Sequence, residues 1–359
     1  MLSLEAMGWA GFFEEAFETY KQEGYAAGRV LLEHKHMYRV YTEAGDFLAE
    51  VSGKLRHRAL SRGDYPAVGD WVVVSVRPEE ERATIHAVLP RKSKFSRKVA
   101  GQVTEEQVVA ANVDTVFLLS AMNQDFNLRR IERYLVLAWE SGAAPVIVLS
   151  KADLCENPES LIVEVESVAI GVPIHVTSSL ENQGISELSE YVSHGKTAAL
   201  LGSSGVGKST LINRMYGRDI QETGGIREDD DKGKHTTTHR ELVALPGGGL
   251  LIDTPGMREL QLWEASDGLS SSFQDVEELE RNCYFQDCNH QNEPGCAVKL
   301  ALQEGTLGSD RYASYLKLQK ELAYLARKED KGLQLAEKNK WKKIHQSVKQ
   351  NAKKQTNRK

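Results

Sequence analysis

A chain of 359 residues is too long for one ordinary domain and is typical of two or three. Its apolar fraction of 41% and charged fraction of 27% are those of a soluble globular protein, and no apolar run reaches the roughly 18 to 20 residues needed to cross a bilayer. The net charge of −6 is uneven, because residues 331–359 carry about +9 and the rest of the chain about −15.

Residues 1–27 are the first predicted element, a short amphipathic helix that extends the chain ahead of its first domain. The segment is acidic where a secretory signal would be basic, and no small-residue cleavage site follows it. We therefore expect a cytoplasmic protein without a membrane anchor.

Residues 28–98 contain short strands separated by turn residues, which predicts a small closed β-barrel such as an OB-fold. A generic β-domain without a ligand of its own fits the same pattern. The five predicted strands are Val30–His34, Met37–Thr42, Phe47–Val51, Trp71–Val76 and Ala83–Leu89. A basic run at the barrel exit is a candidate phosphate contact and comprises Arg91, Lys92, Lys94, Arg97 and Lys98.

Residues 105–264 alternate between strands and helices, which predicts an α/β domain with a parallel sheet covered by helices on both faces. A helix over Leu128–Glu140 is expected to end at Gly142. Ligands bind such sheets at the carboxyl ends of the strands, where the motifs described next occur. The predicted strands are Thr115–Ser120, Pro145–Leu149, Pro173–Val176 and Thr197–Leu201.

Gly202–Ser209 matches the Walker A phosphate-loop pattern at every fixed position, between a strand and a helix. Its glycines let successive backbone N–H groups point at phosphate oxygens, at the positive end of the helix dipole. We expect Lys208 to bridge the β- and γ-phosphates and Ser209 to ligate Mg²⁺, which prefers oxygen ligands. The loop alone does not separate GTP from ATP, so a P-loop ATPase or kinase stays open at this point.

Two loops nearer the N-terminus resemble the guanine-reading motifs of GTPases. Ser150–Asp153 follows an apolar strand and resembles Asn-Lys-x-Asp, in which the Asp accepts hydrogen bonds from guanine N1–H and the exocyclic amine. Lys151 is expected to lie along the base, and Thr177–Ser179 to present a backbone N–H to guanine O6. Ser150 replaces the usual Asn and reaches less far, which predicts weaker affinity with unchanged specificity.

Two motifs after the phosphate loop resemble GTPase switch regions. Asp253–Gly256 matches Asp-x-x-Gly, in which Asp253 would hold Mg²⁺ through water and the Gly256 N–H would reach the γ-phosphate. Gly233–Thr238 stands where switch I belongs, and either Thr237 or Thr238 is expected to complete the Mg²⁺ shell.

The base-reading loops precede the phosphate loop, which is the order of a circularly permuted GTPase. Permutation preserves the sheet and its site while it moves the chain ends. It also places switch II directly ahead of the C-terminal region, so that a nucleotide-dependent movement of the switch is expected to act on that region.

The predicted nucleotide contacts are Ser150, Lys151, Ala152, Asp153, Thr177, Ser178, Ser179, Gly202, Ser203, Ser204, Gly205, Val206, Gly207, Lys208, Ser209, Thr210, Asp253 and Gly256.

Residues 265–330 are predicted to be a helical region that binds zinc. Three thiolates and one imidazole in a short loop suit tetrahedral Zn²⁺ in a structural role, and the predicted ligands are Cys283, Cys288, His290 and Cys296. Without a secretory signal, metal is favoured over a disulfide; buried free thiols or a redox pair are the alternatives. The tail over 331–359 is either an RNA-phosphate contact or a solvated, partly disordered segment.

The permuted order, the Gly-x-His-Thr-Thr-Thr switch, the Asp-Thr-Pro-Gly motif and the Cys/Cys/His/Cys spacing together resemble the bacterial ribosome small-subunit-dependent GTPase family, of the YjeQ/RsgA type. The resemblance covers nearly the whole chain and departs at Ser150 and the long basic tail. It implies a late assembly factor of the small (30S) ribosomal subunit. Its GTP hydrolysis would be stimulated by that subunit, and its barrel and zinc region would contact 16S rRNA.

His235 is the residue expected to orient the attacking water. Met257 stands where many GTPases carry a Gln for this task and cannot hydrogen-bond to water, which predicts slow intrinsic turnover. The resemblance also implies that His235 takes over once the subunit orders switch I; a solvent-exposed switch residue is the alternative.

We expect a monomer that uses Mg²⁺ with GTP and one structural Zn²⁺. A non-catalytic RNA-binding scaffold that uses nucleotide only for stability is the remaining rival.

Overall fold

The computed structural model describes residues 2–34, 37–99, 105–217, 241–253, 266–291 and 293–329. The chain begins with helix α1 (Gly11–Gln22), whose Phe13 and Phe17 are buried. Trp9 and Phe13 pack against Trp71 of the following barrel, with ring centroids 4.7 and 5.8 Å from the Trp71 ring. The amphipathic N-terminal segment therefore completes a hydrophobic core on the outside of the barrel.

Five strands form the barrel: β1 (Ala26–His34), β2 (Met37–Thr42), β3 (Gly45–Val51), β4 (Trp71–Arg77) and β5 (Arg82–Val88). They pair in the order β1-β2-β3-β5-β4, and a further pairing of β1 with β4 closes the barrel. Strands β3 and β5 run parallel, and the other neighbours run antiparallel. This closed five-stranded order confirms the predicted OB-like barrel. Helix α2 (Gly53–Arg58) lies in the connection from β3 to β4.

A two-stranded ribbon links the barrel to the α/β sheet. Strands β6 (Lys94–Val99) and β7 (Glu105–Ala111) pair antiparallel, from Lys94 opposite Ala111 to Val99 opposite Glu105. Neither strand was predicted from the sequence, and the predicted domain boundary between residues 98 and 105 falls inside this ribbon.

The α/β sheet contains β8 (Thr115–Ala121), β9 (Ala144–Ser150), β10 (Ile174–Val176), β11 (Thr197–Gly202), β12 (Glu241–Leu245) and β13 (Gly249–Asp253). Its order is β10-β9-β8-β11-β13-β12, with every pair parallel except β12 and β13. Every residue of β8 and β11 is buried, as in a sheet covered on both faces. Its helices are α3 (Leu128–Ser141), α4 (Pro158–Glu166), α5 (Ile185–Leu188) and α6 (Lys208–Tyr216). Gly142 ends α3 in a left-handed conformation, as predicted.

Strand β12, which was not predicted from the sequence, connects the two sheets. It pairs with β13 on one side and with β1 on the other, through Leu32 opposite Glu241. The barrel and the α/β strands consequently form one hydrogen-bonded sheet of 11 strands.

The buried guanidinium of Arg29 joins the same parts of the chain. Arg29 is 1% exposed and donates hydrogen bonds to the carbonyl groups of Met7, Gly69 and Asn112 and to Oγ1 of Thr197. Burial lowers the pKa of Arg29 to about 10, an effect that the charges of nearby aspartates partly offset. The N-terminal segment, the barrel and strand β11 therefore share one internal cation.

The C-terminal region consists of helices in the described residues: α7 (Ser266–Ser272), α8 (Gln274–Arg281), α9 (Ala297–Glu304) and α10 (Ser309–Glu329). Two ion-pair contacts attach α10 to α3. Arg311 lies 2.8 Å from a Glu132 oxygen, and Arg133 donates two hydrogen bonds of 2.7 Å to Glu321. Within the described ranges, no helix combines the length and the apolar character that a bilayer crossing requires.

Candidate nucleotide and metal sites

The carboxyl ends of the parallel strands meet at one edge of the α/β sheet. Strand β8 lies between β9 and β11, with Ala121 opposite Ser150 and Leu119 opposite Gly202. The loops that follow Ser150 and Gly202 therefore leave the same edge, two strand spacings or about 10 Å apart. Strand β13 is parallel to β11 and ends at Asp253, so its backbone reaches this edge as well.

The phosphate loop has the backbone shape that its glycines permit. Gly205 and Gly207 adopt φ values of +71° and +101°, a region that L side chains rarely enter. Gly207 caps helix α6 and Lys208 is its first residue, so the loop N–H groups lie at the positive end of the helix. Nζ of Lys208 donates to the carbonyl oxygens of Gly202 and Ser203 at 2.8 and 2.6 Å. These bonds hold the ammonium group against the loop.

The predicted base-reading loop, residues 150–153, is shaped by the backbone of Lys151 and by the segment that follows β10. Lys151 has a left-handed backbone with φ +60°, and the N–H of Ala152 donates to the carbonyl of Thr177 at 3.1 Å. The hydroxyl of Ser178 donates to Oδ1 of Asp153 at 2.5 Å. Asp153 is exposed at the sheet edge. The structure therefore brings both predicted base loops together around one carboxylate.

Ser150 joins the base-reading loop directly to the phosphate loop. Its buried hydroxyl, in a residue 6% exposed, donates to the carbonyl of Val206 at 2.7 Å. The shorter side chain thus reaches the neighbouring loop, a contact for which the sequence analysis expected an Asn to be better suited. In the other direction, the Met122 N–H donates to the Ser150 carbonyl at 2.8 Å. Ser150 therefore contacts the loops that follow β8 and β11.

Arg214 is a contact that the sequence analysis missed. It lies on α6, and its Nε donates to the carbonyl of Ser179 at 2.9 Å, so the phosphate-loop helix also supports the second base loop. Arg214 lies beyond the end of the Walker A motif. Its position along the helix that leaves the phosphate loop is the one sequence signal that could have placed it next to the second base loop.

The remaining predicted site residues lie outside the described residues: His235, Thr237, Thr238 and Gly256. For Asp253 the backbone position alone is described. Their assignments stay predictions.

The four predicted zinc ligands converge on one point. The ligand atoms of Cys283, Cys288, His290 and Cys296 all lie within 4.8 Å of one another. The Cys283 and Cys296 sulfurs are 3.9 Å apart and lie 3.6 and 3.5 Å from Nδ1 of His290. Tetrahedral zinc with bonds of roughly 2.0–2.3 Å separates its ligand atoms by about 3.5–3.8 Å. The three separations among Cys283, His290 and Cys296 are close to this range.

Neighbouring groups orient these ligands. Nε2 of His290 faces a Glu280 oxygen at 3.4 Å, which leaves Nδ1 for a metal, and Tyr315 of α10 donates to the other Glu280 oxygen at 3.0 Å. Burial and the crowded thiols of Cys296 and Cys283 raise the pKa of Cys288 to about 11. A divalent cation would offset the repulsion between the thiolates, and the cluster could therefore bind a metal ion.

The basic run at the barrel exit is largely engaged within the protein. Arg91 is 17% exposed and pairs with both oxygens of Asp70. Lys94 pairs with Glu106 at 2.8 Å, and the ammonium group of Lys92 lies 4.7 Å from the Phe13 ring centroid. Arg91 therefore joins the chain after β5 to the connection between β3 and β4.

The fold and the site define a P-loop GTPase whose base-reading loops precede its phosphate loop. The sequence model of the RsgA GTPase family matches residues 88–263. A second model, that of the ABC transporter, matches residues 185–357. The second match contains the phosphate loop that both classes share but omits both base-reading loops, so it does not identify the bound base.

Relatives named RsgA align with this chain over nearly its whole length. The chain is 48% identical over 96% of both chains to the small ribosomal subunit biogenesis GTPase RsgA of Opitutus terrae. It is 49% identical to RsgA 1 of Oceanobacillus iheyensis, over 90% of this chain and 92% of that protein. The chain belongs to the RsgA GTPase family.

Solved structures agree with this assignment. YjeQ from Thermotoga maritima matches with a TM-score of 0.62 and 31% identity, over 83% of this chain and 99% of that one. YloQ, described as a circularly permuted GTPase, matches with a TM-score of 0.59 and 25% identity, over 83% and 95%.

Proposed function

We propose that this chain hydrolyses GTP during the assembly of the small ribosomal subunit, in contact with that subunit. Its family membership and the printed names of its relatives support this function. The observation that carries the nucleotide part is the bond between Ser150 and Val206. It joins a loop suited to read a base to a loop suited to hold phosphates, at one edge of one sheet.

Asp153 selects guanine in this proposal. Ser178 occupies one carboxylate oxygen and fixes the orientation of the carboxylate, which supports a second role for the remaining acceptor positions. Guanine offers two adjacent donors, N1–H and the exocyclic amine, whereas adenine offers no such pair. A base that leaves the acceptors unpaired loses binding free energy, and ATP is therefore rejected.

Lys208 and the loop N–H groups hold the phosphates, and Ser209 and Asp253 provide oxygen ligands for Mg²⁺. Ser209 follows Lys208 in the first turn of α6, and Asp253 ends the strand next to β11, so both positions suit a cation beside the phosphates. Bound Mg²⁺ would neutralise charge on the phosphate oxygens. Thr237 completes the Mg²⁺ shell in this proposal, and the Gly256 N–H contacts the γ-phosphate.

His235 orients the attacking water, because Met257 offers no hydrogen bond at the usual position. Slow intrinsic turnover and acceleration by the small subunit follow from this arrangement. The four-ligand cluster binds one structural Zn²⁺, as its spacing and its Glu280 support favour. The protein acts as a cytoplasmic monomer, and its barrel and zinc region contact 16S rRNA.

The test is GTP turnover at increasing concentrations of isolated small ribosomal subunits, with large subunits and ATP as controls. We expect slow GTP hydrolysis alone, a large increase with small subunits, and no comparable response to large subunits or ATP. Lys208→Ala should remove the stimulated activity. Tight GDP binding without stimulated turnover would favour the scaffold, and preferred ATP hydrolysis would favour a P-loop ATPase.

A further inference from the structure

The loop between β8 and α3 presents an acidic side chain to the phosphate loop. Asp125 accepts a hydrogen bond of 2.9 Å from the hydroxyl of Ser203, the first variable residue of that loop. Arg130 donates to both oxygens of the same carboxylate, at 2.9 and 3.3 Å. Asp125 matches no motif identified in the sequence, and it is half-exposed at the edge where the base and phosphate loops meet.

The backbone around Asp125 is firmly held. Its N–H donates to the side chain of Asn123 at 3.0 Å, and the side chain of Asn127 caps α3 by accepting from the Arg130 N–H at 3.0 Å. Met122, at the start of the loop, is 1% exposed and donates to the carbonyl of Ser150. The carboxylate therefore projects from a loop that is fixed both to the base-reading side and to helix α3.

The surroundings of this carboxylate are positively charged and polar. Hydrogen bonds from Arg130 and Ser203, together with the charges of Arg130 and Lys151, hold the pKa of Asp125 below its usual range. Nζ of Lys208 donates a hydrogen bond to the Ser203 carbonyl at 2.6 Å. Ser203 is thus held through its backbone by the phosphate-binding lysine and through its hydroxyl by Asp125.

We propose that Asp125 is a positioning residue that fixes the phosphate loop at a set distance from the base-reading loop. The inference rests on the proposed binding of guanine nucleotides by these loops. A nucleotide diphosphate must contact both loops at once, so a fixed separation reduces the ordering that binding requires. Guanosine contacts the base loop alone and gains nothing from that separation.

The experiment measures the affinities of GDP and guanosine, by displacement of a fluorescent GDP analogue, for the full chain and its variants. We expect Asp125→Ala to weaken GDP binding about tenfold, as the loss of a charge-assisted hydrogen bond implies, and to change guanosine binding less than about twofold. Ser203→Ala should weaken GDP binding by a similar factor. The variant that carries both substitutions should bind GDP no more weakly than the weaker-binding of the two single variants. Glu159→Ala, an exposed acid on α4, is the matched control.

Turnover separates positioning from damage to the fold. Asp125→Ala should raise KM for GTP and leave kcat unchanged, because the contact exists in both ground and transition states. Asp125→Asn keeps an acceptor for Ser203 without the charge, so its GDP affinity should fall between those of wild type and Asp125→Ala; it also serves if the alanine variant unfolds. Unchanged GDP affinity in both variants, or an equal loss for guanosine, overturns the inference. Failure of the wild type to bind GDP would instead overturn the proposed function.

Discussion

The buried ion cluster between α3 and the C-terminal helices gives the most quantitative stability prediction. Arg311, 8% exposed at its side chain, donates to Glu132 at 2.8 Å, to both oxygens of Asp275 at 2.7 Å and to the Ser272 carbonyl at 2.8 Å. Glu132 is 1% exposed, and within the described part of the chain Arg129 is the ion-pair partner that it keeps once Arg311 is removed. Arg311→Met therefore removes the buried partner of the Glu132 carboxylate and leaves it with Arg129, whose side chain is 38% exposed.

The expected cost is about 3–5 kcal/mol of unfolding free energy, the range for breaking a buried ion pair by removing one partner. This is a large fraction of the roughly 5–15 kcal/mol that stabilises a typical protein. Replacing both Glu132 and Arg311 with apolar residues should cost less than Arg311→Met alone, because no buried charge is then left behind. Asp275 is 31% exposed and can be solvated.

The assay combines denaturant unfolding, which gives the free energy of unfolding, with hydrogen-exchange rates measured in α3, α7 and α10. Exchange is needed because a chain with several regions need not unfold in two states. Arg281→Ala is the control. Arg281 is 74% exposed and pairs with Glu277 one helical turn away, so its effect on the unfolding free energy should stay within about 0.5 kcal/mol. The reasoning would be refuted if Arg311→Met lowered the unfolding free energy by less than about 1 kcal/mol, or if the double variant were less stable than Arg311→Met alone.

Further predictions concern the two sites. Cys288→Ser should abolish the one bound zinc measured by metal analysis and lower the thermal unfolding temperature, whereas Cys155→Ser should keep the metal; equal zinc in both variants would contradict the ligand set. Ser150→Ala should weaken GDP binding about three- to tenfold, because it leaves the Val206 carbonyl unpaired, and Ser150→Asn should tighten it; the opposite order in a GDP titration would contradict this role. His235→Ala should depress subunit-stimulated turnover and spare GTP binding, and unchanged stimulated turnover would remove the assignment.

Motifs with local causes could be predicted from the sequence. The strands that lead into the base and phosphate loops are found within two residues of their predicted ends, because an apolar run and the turn residues after it lie side by side in the chain. Gly142 was likewise predictable, since a glycine after a periodic helix adopts the left-handed conformation that ends it. The zinc ligands cluster because a short loop can bring them together.

Contacts between distant segments could not be predicted in the same way. Arg29 bonds to Thr197 across 168 positions, and no periodicity in β1 indicates a buried arginine. Glu241 opens a strand whose neighbour, β1, lies two hundred residues earlier, so its place depends on the assembled barrel. Asp125 sits in a loop without a recognised motif, and its role emerges only when Ser203 is brought beside it.

The central claim is that Asp153 reads guanine in the nucleotide whose phosphates Lys208 holds. The most direct measurement compares GDP with xanthosine diphosphate, which carries a carbonyl in place of the exocyclic amine, on wild type and Asp153→Asn. We expect wild type to prefer GDP and Asp153→Asn to prefer the xanthine nucleotide, because the asparagine amide donates where the carboxylate accepted. Continued preference for GDP in Asp153→Asn, with its fold intact, would contradict the account.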